Sequence, residues 1–196
     1  FASQVVSYLN KSKKLLERED FIAEAGKLMK NGAINNEAIL SYISISKEIG
    51  SNKFNQWGLA KWPEITPRGV KDKAYLILGN FGKPAHFREI TEMINNNAFD
   101  IRKANPQTVH NELIKDPRFV LVGRGLYALA DWGFPKGTVK EVLIDILKKH
   151  GKPLHKDKLF AEVLSTRFVK PNTILLNLQD SKTFRKDDQG RYTLNF

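Results

Sequence analysis

One pattern of residues recurs three times along the chain, and this repeat restricts the fold more than any other feature of the sequence. When Lys14, Lys83 and Lys152 are aligned, the stretches KLLEREDF, KPAHFREI and KPLHKDKL come into register without a gap. Each stretch leads into apolar residues at helical spacing. The repeat predicts three similar small units in tandem, rather than one large domain.

A second register aligns Asn36, Pro106 and Pro171 and brings the apolar residues of the three copies to matching positions. The matched sets are Ile39, Val109 and Ile174; Ile43, Leu113 and Leu178; Ile49, Phe119 and Phe184; Trp57, Tyr127 and Tyr192; and Leu59, Leu129 and Leu194. Between the two registers the middle copy carries the extra stretch NNNAFDIRKAN, which we interpret as a loop before a helix. We assign the units to residues 1–64, 69–132 and 137–196. They are joined by the short Pro- and Gly-containing linkers PEITPRG and GFPKG.

Each unit is predicted to contain three helices followed by a β-hairpin. In the third unit, TVKEVLIDILKKHG has apolar residues at helical spacing, and Gly151 is expected to end this helix. The second helix should follow Pro153. The third should begin at Pro171, as its counterpart in the middle unit begins at Pro106 after the N-cap Asn105. FVLVGRGLYAL contains two short β runs around Gly-Arg-Gly, which is a hairpin signal. The predicted fold class is therefore mainly α with small β-hairpins, in three tandem winged helix-turn-helix units.

The aromatic residue that recurs in the hairpin is Trp57, Tyr127 or Tyr192. Each unit has only about sixty residues, a size at which a hydrophobic core is marginal. We therefore expect the three aromatic side chains to occupy one equivalent place, each packed on the third helix of its own unit. This structural role is favoured over base stacking.

The residues of the middle unit also carry a family resemblance. KAYLILGNFGKPAHFREITEMI, followed by TVHNELIKDPRFVLVGRGLYALADW, resembles the HARE-type helix-turn-helix family. Winged helices of this family occur in the delta subunit of bacterial RNA polymerase, in some restriction enzymes and in chromatin proteins. NQWGLAKWPEI in the first unit is similar to the end of the folded domain of the delta subunit, and the third unit matches in outline through GKPLHKDKLFAEV and GRYTL. The resemblance implies a role that faces DNA or RNA polymerase, and it implies no catalytic residue. Such domains also follow a sigma-factor-like helix-turn-helix in some bacterial proteins.

The charge balance favours a polyanionic partner. The chain has 32 Lys and Arg against 21 Asp and Glu, a net charge of +11, which favours nucleic acid. It has no cysteine, so disulfides and thiolate metal sites are excluded, and a reducing cytosol fits. The opening FASQVVSYLNKSKK lacks an initiator Met and mixes polar with apolar residues, so neither a signal peptide nor a membrane span is predicted. We interpret the chain as a fragment whose upstream part is missing.

No motif for catalysis, a metal or a cofactor is found in the sequence. His86 and His155 occupy one repeat position just before the second helix, where the first unit has Glu17. A contact at the helix start explains them better than an imidazole required for chemistry. His110 and His150 form no metal-ligand spacing with an acidic pair, and there is no GxxxxGK phosphate loop. We predict a protein that is not an enzyme and has no cofactor, metal or small-molecule substrate.

The third helix of the middle unit is the predicted base-reading element. If Val109 and Leu113 face the core, the helical period turns four polar side chains outward. These are Gln107, His110, Asn111 and Lys115. Asn and Gln suit adenine, whereas Lys suits guanine or phosphate. Arg102 and Lys103 before the helix, and Arg124 in the wing, are predicted to hold phosphates. The alternative is a merely solvated helix face.

The third unit is the most basic of the three and is predicted to grip the DNA backbone without base readout. The residues expected to do so are Lys182, Arg185, Lys186 and Arg191. Leu175 and Leu176 stand at the positions of His110 and Asn111, and this pair favours packing against protein. In the first unit the equivalents are Leu40 and Ser41, which suit DNA poorly.

The combined prediction is a duplex-DNA-binding protein of bacterial transcription, cytoplasmic and associated with the nucleoid. One alternative is a scaffold that docks on RNA polymerase or a sigma factor, with its charge serving solubility. Another is the specificity part of a restriction system whose nuclease lies outside this sequence. The leucine pair favours the scaffold, whereas the polar middle face and the positive charge favour DNA.

Overall fold

The structure is a computed structural model that describes residues 1–29 and 35–195. Within these residues, nine α-helices and eight short β-strands follow one another. The helices are α1 (Ala2–Ser12), α2 (Arg18–Leu28), α3 (Asn36–Ser44), α4 (Val70–Phe81), α5 (Phe87–Asn96), α6 (Pro106–Lys115), α7 (Val139–His150), α8 (Lys156–Thr166) and α9 (Pro171–Leu178). The strands are β1 (Ile49–Ser51), β2 (Trp57–Leu59), β3 (Ala85–His86), β4 (Phe119–Gly123), β5 (Leu126–Leu129), β6 (Leu154–His155), β7 (Phe184–Lys186) and β8 (Arg191–Leu194). In the described part of the chain, no helix combines the length and the apolar character needed to span a membrane.

Local sequence signals account for the start and end of the helices in the middle segment, residues 69–132. Asn105 caps α6, because its side chain accepts a hydrogen bond of 2.9 Å from the backbone N–H of Gln107. Pro106 fills the first helical position, where no intrahelical N–H bond is needed. The first helix of the segment, α4, ends before Gly82, whose φ of 73° is left-handed. Helices α4, α5 and α6 surround one apolar core that is closed by the antiparallel sheet β3-β5-β4.

The third segment, residues 137–196, repeats this order of elements. Thr138 and Glu141 form a capping box at the start of α7, and Gly151 ends the helix in a left-handed conformation, as its sequence predicted. Helices α7, α8 and α9 pack around a second core, which is closed by the sheet β6-β8-β7. The strand order is thus the same as in the middle segment.

The first segment, residues 1–64, has its own core beneath helices α1, α2 and α3. Its hairpin β1-β2 is antiparallel, and Leu16 forms a single β-bridge with Trp57 at the place where the other two segments have a third strand. Residues 30–34, between α2 and α3 in the sequence, lie outside the described residues.

The hairpin aromatics have equivalent backbone partners in all three segments. Each aromatic residue pairs with two backbone neighbours. One neighbour lies in the first strand of the hairpin. The other lies two positions after the aligned lysine, which is Lys14, Lys83 or Lys152. The sets are Leu16, Trp57 and Ser51; Ala85, Tyr127 and Leu121; and Leu154, Tyr192 and Lys186. Residues aligned in the first register therefore pair in the sheets with residues aligned in the second register.

The side-chain packing of these aromatics differs between the segments. Trp57 stacks on Phe21 of α2 with ring centroids 4.8 Å apart, and it packs against the core that also contains Ile39 and Ile43 of α3. The stack on α2 was not predicted. Tyr127 is 2% exposed and meets the ring of His110 on α6 edge-on, with centroids 5.9 Å apart.

Gly58 explains why two tryptophans flank a Gly-Leu step. A Cβ atom at Gly58 would lie 2.6 Å from the ring of Trp62, closer than any van der Waals contact. The missing side chain thus lets Trp62 lie against strand β2, beside the core of the first segment.

We expect Gly58→Ala to destabilise the first segment, because a methyl group forced against an aromatic ring costs about 1–3 kcal/mol. Gly79→Ala is the matched control. Gly79 lies on the exposed side of α4, and its nearest neighbour would be 3.9 Å away. The helix preference of alanine should stabilise that variant by about 0.5–1 kcal/mol. Urea unfolding of both variants provides the test, and equal effects would contradict this account of Trp62.

Candidate nucleic-acid interface

Helix α6 presents a polar face to solvent. Val109 and Leu113 are buried in the core of the middle segment. Gln107, Asn111 and Lys115 are exposed on the other side of the helix. These three of the four side chains predicted from the helical period therefore do lie at the surface.

Gln107 and Asn111 form one amide pair on this face. The Nε2 group of Gln107 donates a hydrogen bond of 3.2 Å to Oδ1 of Asn111, one helical turn further on. The bond brings the two amide groups together on the exposed face of α6. Between them the two amides retain donors and acceptors, which is the combination that pairs with the edge of a base.

His110 does not lie freely on this surface, so the prediction that it faces outward is wrong. Its ring is half-buried and stacks on Phe87 of α5, with ring centroids 4.4 Å apart and planes inclined by 22°. Its other neighbour is Tyr127. The side chain fills the space where α5, α6 and the hairpin meet, and the helical period alone could not show that α5 reaches so far.

His110→Ala should therefore destabilise the protein. Loss of the stacked ring is expected to cost about 1 kcal/mol. Asn111→Ala, at the neighbouring exposed position, should change the unfolding free energy by less than about 0.5 kcal/mol. Thermal or urea unfolding distinguishes the two, and identical stabilities would show that the ring contact with Phe87 contributes nothing.

Arg102 and Lys103 lie in the loop that leads into α6, and both are exposed. They line a cleft of 340 Å³ together with Asn105. The loop is tied to α4 by Lys73, which is 5% exposed and forms an ion pair with Asp100. The two cations are thus held next to the first turn of α6, where the helix dipole also favours an anion.

Arg124 is exposed in the turn between β4 and β5, which is the wing of the middle segment. The prediction that Gly-Arg-Gly forms a hairpin turn is confirmed. Next to the wing, His86 is the N-cap of α5, since its Nδ1 accepts a hydrogen bond of 3.3 Å from the N–H of Arg88. The helix-start role predicted for this histidine is confirmed. His155 makes no such capping bond, and its Nδ1 instead lies 3.2 Å from a carboxylate oxygen of Asp157.

The four basic residues of the third segment are exposed but not equivalent. The Nε of Arg191 lies 2.7 Å from the carboxylate of Asp187. The backbone N–H of Arg191 and then its guanidinium keep the pKa of Asp187 below its usual value, so this carboxylate stays charged and competes for Arg191. Lys186 lies over the ring of Tyr192 at 6.0 Å. Among the described residues, Lys182 and Arg185 have no carboxylate within ion-pair distance, so these two are the most accessible to a phosphate.

The two leucines of the third segment differ in exposure. Leu175 is half-buried on α9, whereas Leu176 is 66% exposed. The polar surface of α6 is thus not repeated on α9.

The sequence pattern did not predict a contact between the middle and third segments. The outer face of the β4-β5 hairpin is apolar and buried, and it consists of Val120, Val122 and Ala128. At the repeat positions of these residues the third segment has Arg185, Asp187 and Thr193. The outer face is apolar in the middle hairpin and polar in the aligned hairpin of the third segment. This difference in the sequence indicates that other residues cover the face of the middle hairpin.

Across residues 1–29 and 35–195, no group of three or more His, Asp and Glu side chains could hold a metal ion.

Three helices, a short third strand and a β-hairpin with an exposed turn make the middle segment a winged helix. The model of the HARE-HTH family, a helix-turn-helix domain described from ASXL and restriction endonucleases among others, matches residues 68–132 of the chain. This confirms the family resemblance found in the sequence of that segment. No curated protein matches the chain. The similarity to the delta subunit stays a prediction.

Proposed function

We propose that the chain is a duplex-DNA-binding protein without enzymatic activity. The observation that carries this proposal is the exposed face of α6, because it combines the hydrogen-bonded amides of Gln107 and Asn111 with Lys115 in a domain that matches a helix-turn-helix family. Arg102, Lys103 and the wing residue Arg124 add cations around it. Amides that contact bases next to cations that contact phosphates are the usual composition of a DNA-reading helix.

The proposal includes three winged helices in tandem, with boundaries at residues 1–64, 69–132 and 137–196. The equivalent backbone pairing of Trp57, Tyr127 and Tyr192 supports it, since one arrangement of strands accompanies three helices each time. The middle unit would read bases through α6. The third unit would contact the backbone, because its outer hairpin face carries Arg185 where the middle unit has a buried valine.

We place this activity in bacterial transcription, in a sigma-factor-like or RNA polymerase-associated protein of the cytoplasm and nucleoid. The support is the resemblance of the middle and first units to winged helices of that setting. The net charge of +11 agrees with a protein that works on nucleic acid.

A scaffold that docks on RNA polymerase or a sigma factor is the second candidate function. It is favoured by Leu176, an apolar side chain that is 66% exposed at a position where a DNA-reading helix carries polar groups. A restriction-specificity role is the third candidate, and it is favoured by the restriction endonucleases named in the family description.

The test is binding of arbitrary duplex DNA by the chain at low salt, followed by fluorescence anisotropy. We expect binding that weakens as salt is added, because released counterions drive the association. A lack of measurable binding at low salt would replace this proposal with the scaffold. In that case Leu176→Ser should weaken binding to purified RNA polymerase or sigma factor.

A further inference from the structure

The middle and third segments are joined by a contact between the wing strand β4 and the loop that follows α8. Phe168 donates its backbone N–H to the carbonyl oxygen of Val122 at 2.8 Å, and it forms a parallel β-bridge with Gly123. A Cβ atom at Gly123 would lie 2.5 Å from the carbonyl oxygen of Phe168, so glycine is needed for this close approach.

The buried side chain of Arg167 stabilises the same contact between the two segments. It is 4% exposed, and its guanidinium donates hydrogen bonds to the carbonyl oxygens of Pro135 at 2.8 Å, Gly137 at 2.6 Å and Leu121. Its Nε–H has no partner among the described residues. Burial lowers the pKa of this guanidinium, and the nearby carboxylate of Glu141 acts in the opposite direction.

A cleft of 540 Å³ opens at this joint, between the wing of the middle segment and the first turn of α9. Its charged lining side chains are Arg124, Arg167 and Lys170. All three are cations, and no carboxylate of the described residues lies within ion-pair distance of any of them. Phe168 and Leu121 provide an apolar wall, and both are about half exposed.

We infer that this cleft binds one phosphodiester group of a nucleic-acid strand, held jointly by Arg124 and Lys170. The two side chains come from different segments, whereas the buried charge of Arg167 adds to the positive potential at the floor. The exposed ring of Phe168 offers a surface for the attached sugar or base. One strand would then bridge the middle and third segments, which would act on it as a single body.

This inference rests on the proposed DNA binding and is tested by the salt dependence of duplex binding. Arg124→Gln, Lys170→Gln and the double variant each remove exposed cations that make no hydrogen bond within the described structure, so folding should be unaffected. If both side chains hold one phosphate, the log-log salt slope of the double variant should decrease by about 0.9. If they held separate phosphates, it would decrease by about 1.8, which would overturn the shared site. The double variant Lys148→Gln and Lys149→Gln, at the exposed end of α7, controls for net charge.

A second measurement does not depend on duplex binding. The full chain is titrated with the dinucleoside phosphate TpT and followed by amide NMR. We expect shifts at Gly123, Arg124, Phe168 and Thr173, which should disappear in the Arg124→Gln, Lys170→Gln variant. If TpT causes these shifts but the chain binds no duplex, the proposed function is refuted while the phosphodiester site in the cleft is still supported.

Three results would overturn the inference. The first is duplex binding without TpT shifts in the cleft. The second is equal shifts from inorganic phosphate at the same concentration, which would indicate only a general anion site. The third is binding in the cleft of a peptide of alternating Glu and Leu while TpT fails to bind, which would assign the cleft to a protein partner.

Discussion

Replacing Lys182, Arg185 and Lys186 together with Gln is expected to flatten the salt dependence of duplex binding more than any other change. Each phosphate contact contributes roughly 0.9 to the log-log slope, so three lost contacts should lower its magnitude by about 2.7. The loss should be the same for every DNA sequence, because phosphate contacts carry no base information. Anisotropy titrations at several salt concentrations, on two unrelated duplexes, measure this slope.

Addition of Arg191→Gln to this variant should change the slope less than any of the first three substitutions. Its guanidinium is already engaged by Asp187 at 2.7 Å, and this bond must be broken or shared before a phosphate is bound. The matched control replaces Lys11, Lys14 and Lys47 with Gln, three exposed lysines of the first segment that alter the net charge equally. If the control flattens the slope as much as the variant does, the third segment is not the backbone-binding surface.

Helix ends and strand pairings could be predicted from the sequence because short-range chemistry determines them. Pro106 and Asn105 mark the start of α6, and Gly151 marks the end of α7, through backbone geometry that involves only neighbouring residues. The hairpin around Gly-Arg-Gly follows from the same kind of signal. Such features need no knowledge of the distant parts of the chain.

The candidate site was only partly predictable, because its residues depend on contacts between elements. The helical period correctly turned Gln107 and Asn111 outward, but it could not show that Phe87 covers His110. Likewise, Val120 and Val122 indicated a buried outer face without naming what buries it. Trp132 and Phe134 pack against this face, and the backbone N–H of Phe168 from the loop after α8 bonds to the carbonyl oxygen of Val122. These contacts depend on the tertiary arrangement, which the local pattern does not specify.

The amide pair on α6 yields the second large prediction. Replacing both Gln107 and Asn111 with Ala should weaken binding to the preferred DNA site by about 1–3 kcal/mol for each lost base pairing. Binding to random duplex should remain, since Arg102, Lys103 and Arg124 still contact phosphates. Substitution of Asn111 alone should weaken specific binding by more than the loss of its own base contact would. The reason is that its Oδ1 also accepts the hydrogen bond of 3.2 Å from Gln107.

The effect on sequence-specific DNA binding can be separated from an effect on folding, because neither amide side chain contributes to the core. Both side chains are exposed, while Val109 and Leu113 provide the packing of α6, so the unfolding free energy of the double variant should change little. A preferred site is first selected from random duplexes with the unaltered protein, and affinities on that site and on random duplex are then compared at one salt concentration. Equal losses on both would mean that α6 contacts only the backbone. No loss on either would mean that this face of the helix does not meet DNA, and the exposed Leu176 would then become the better guide to a partner.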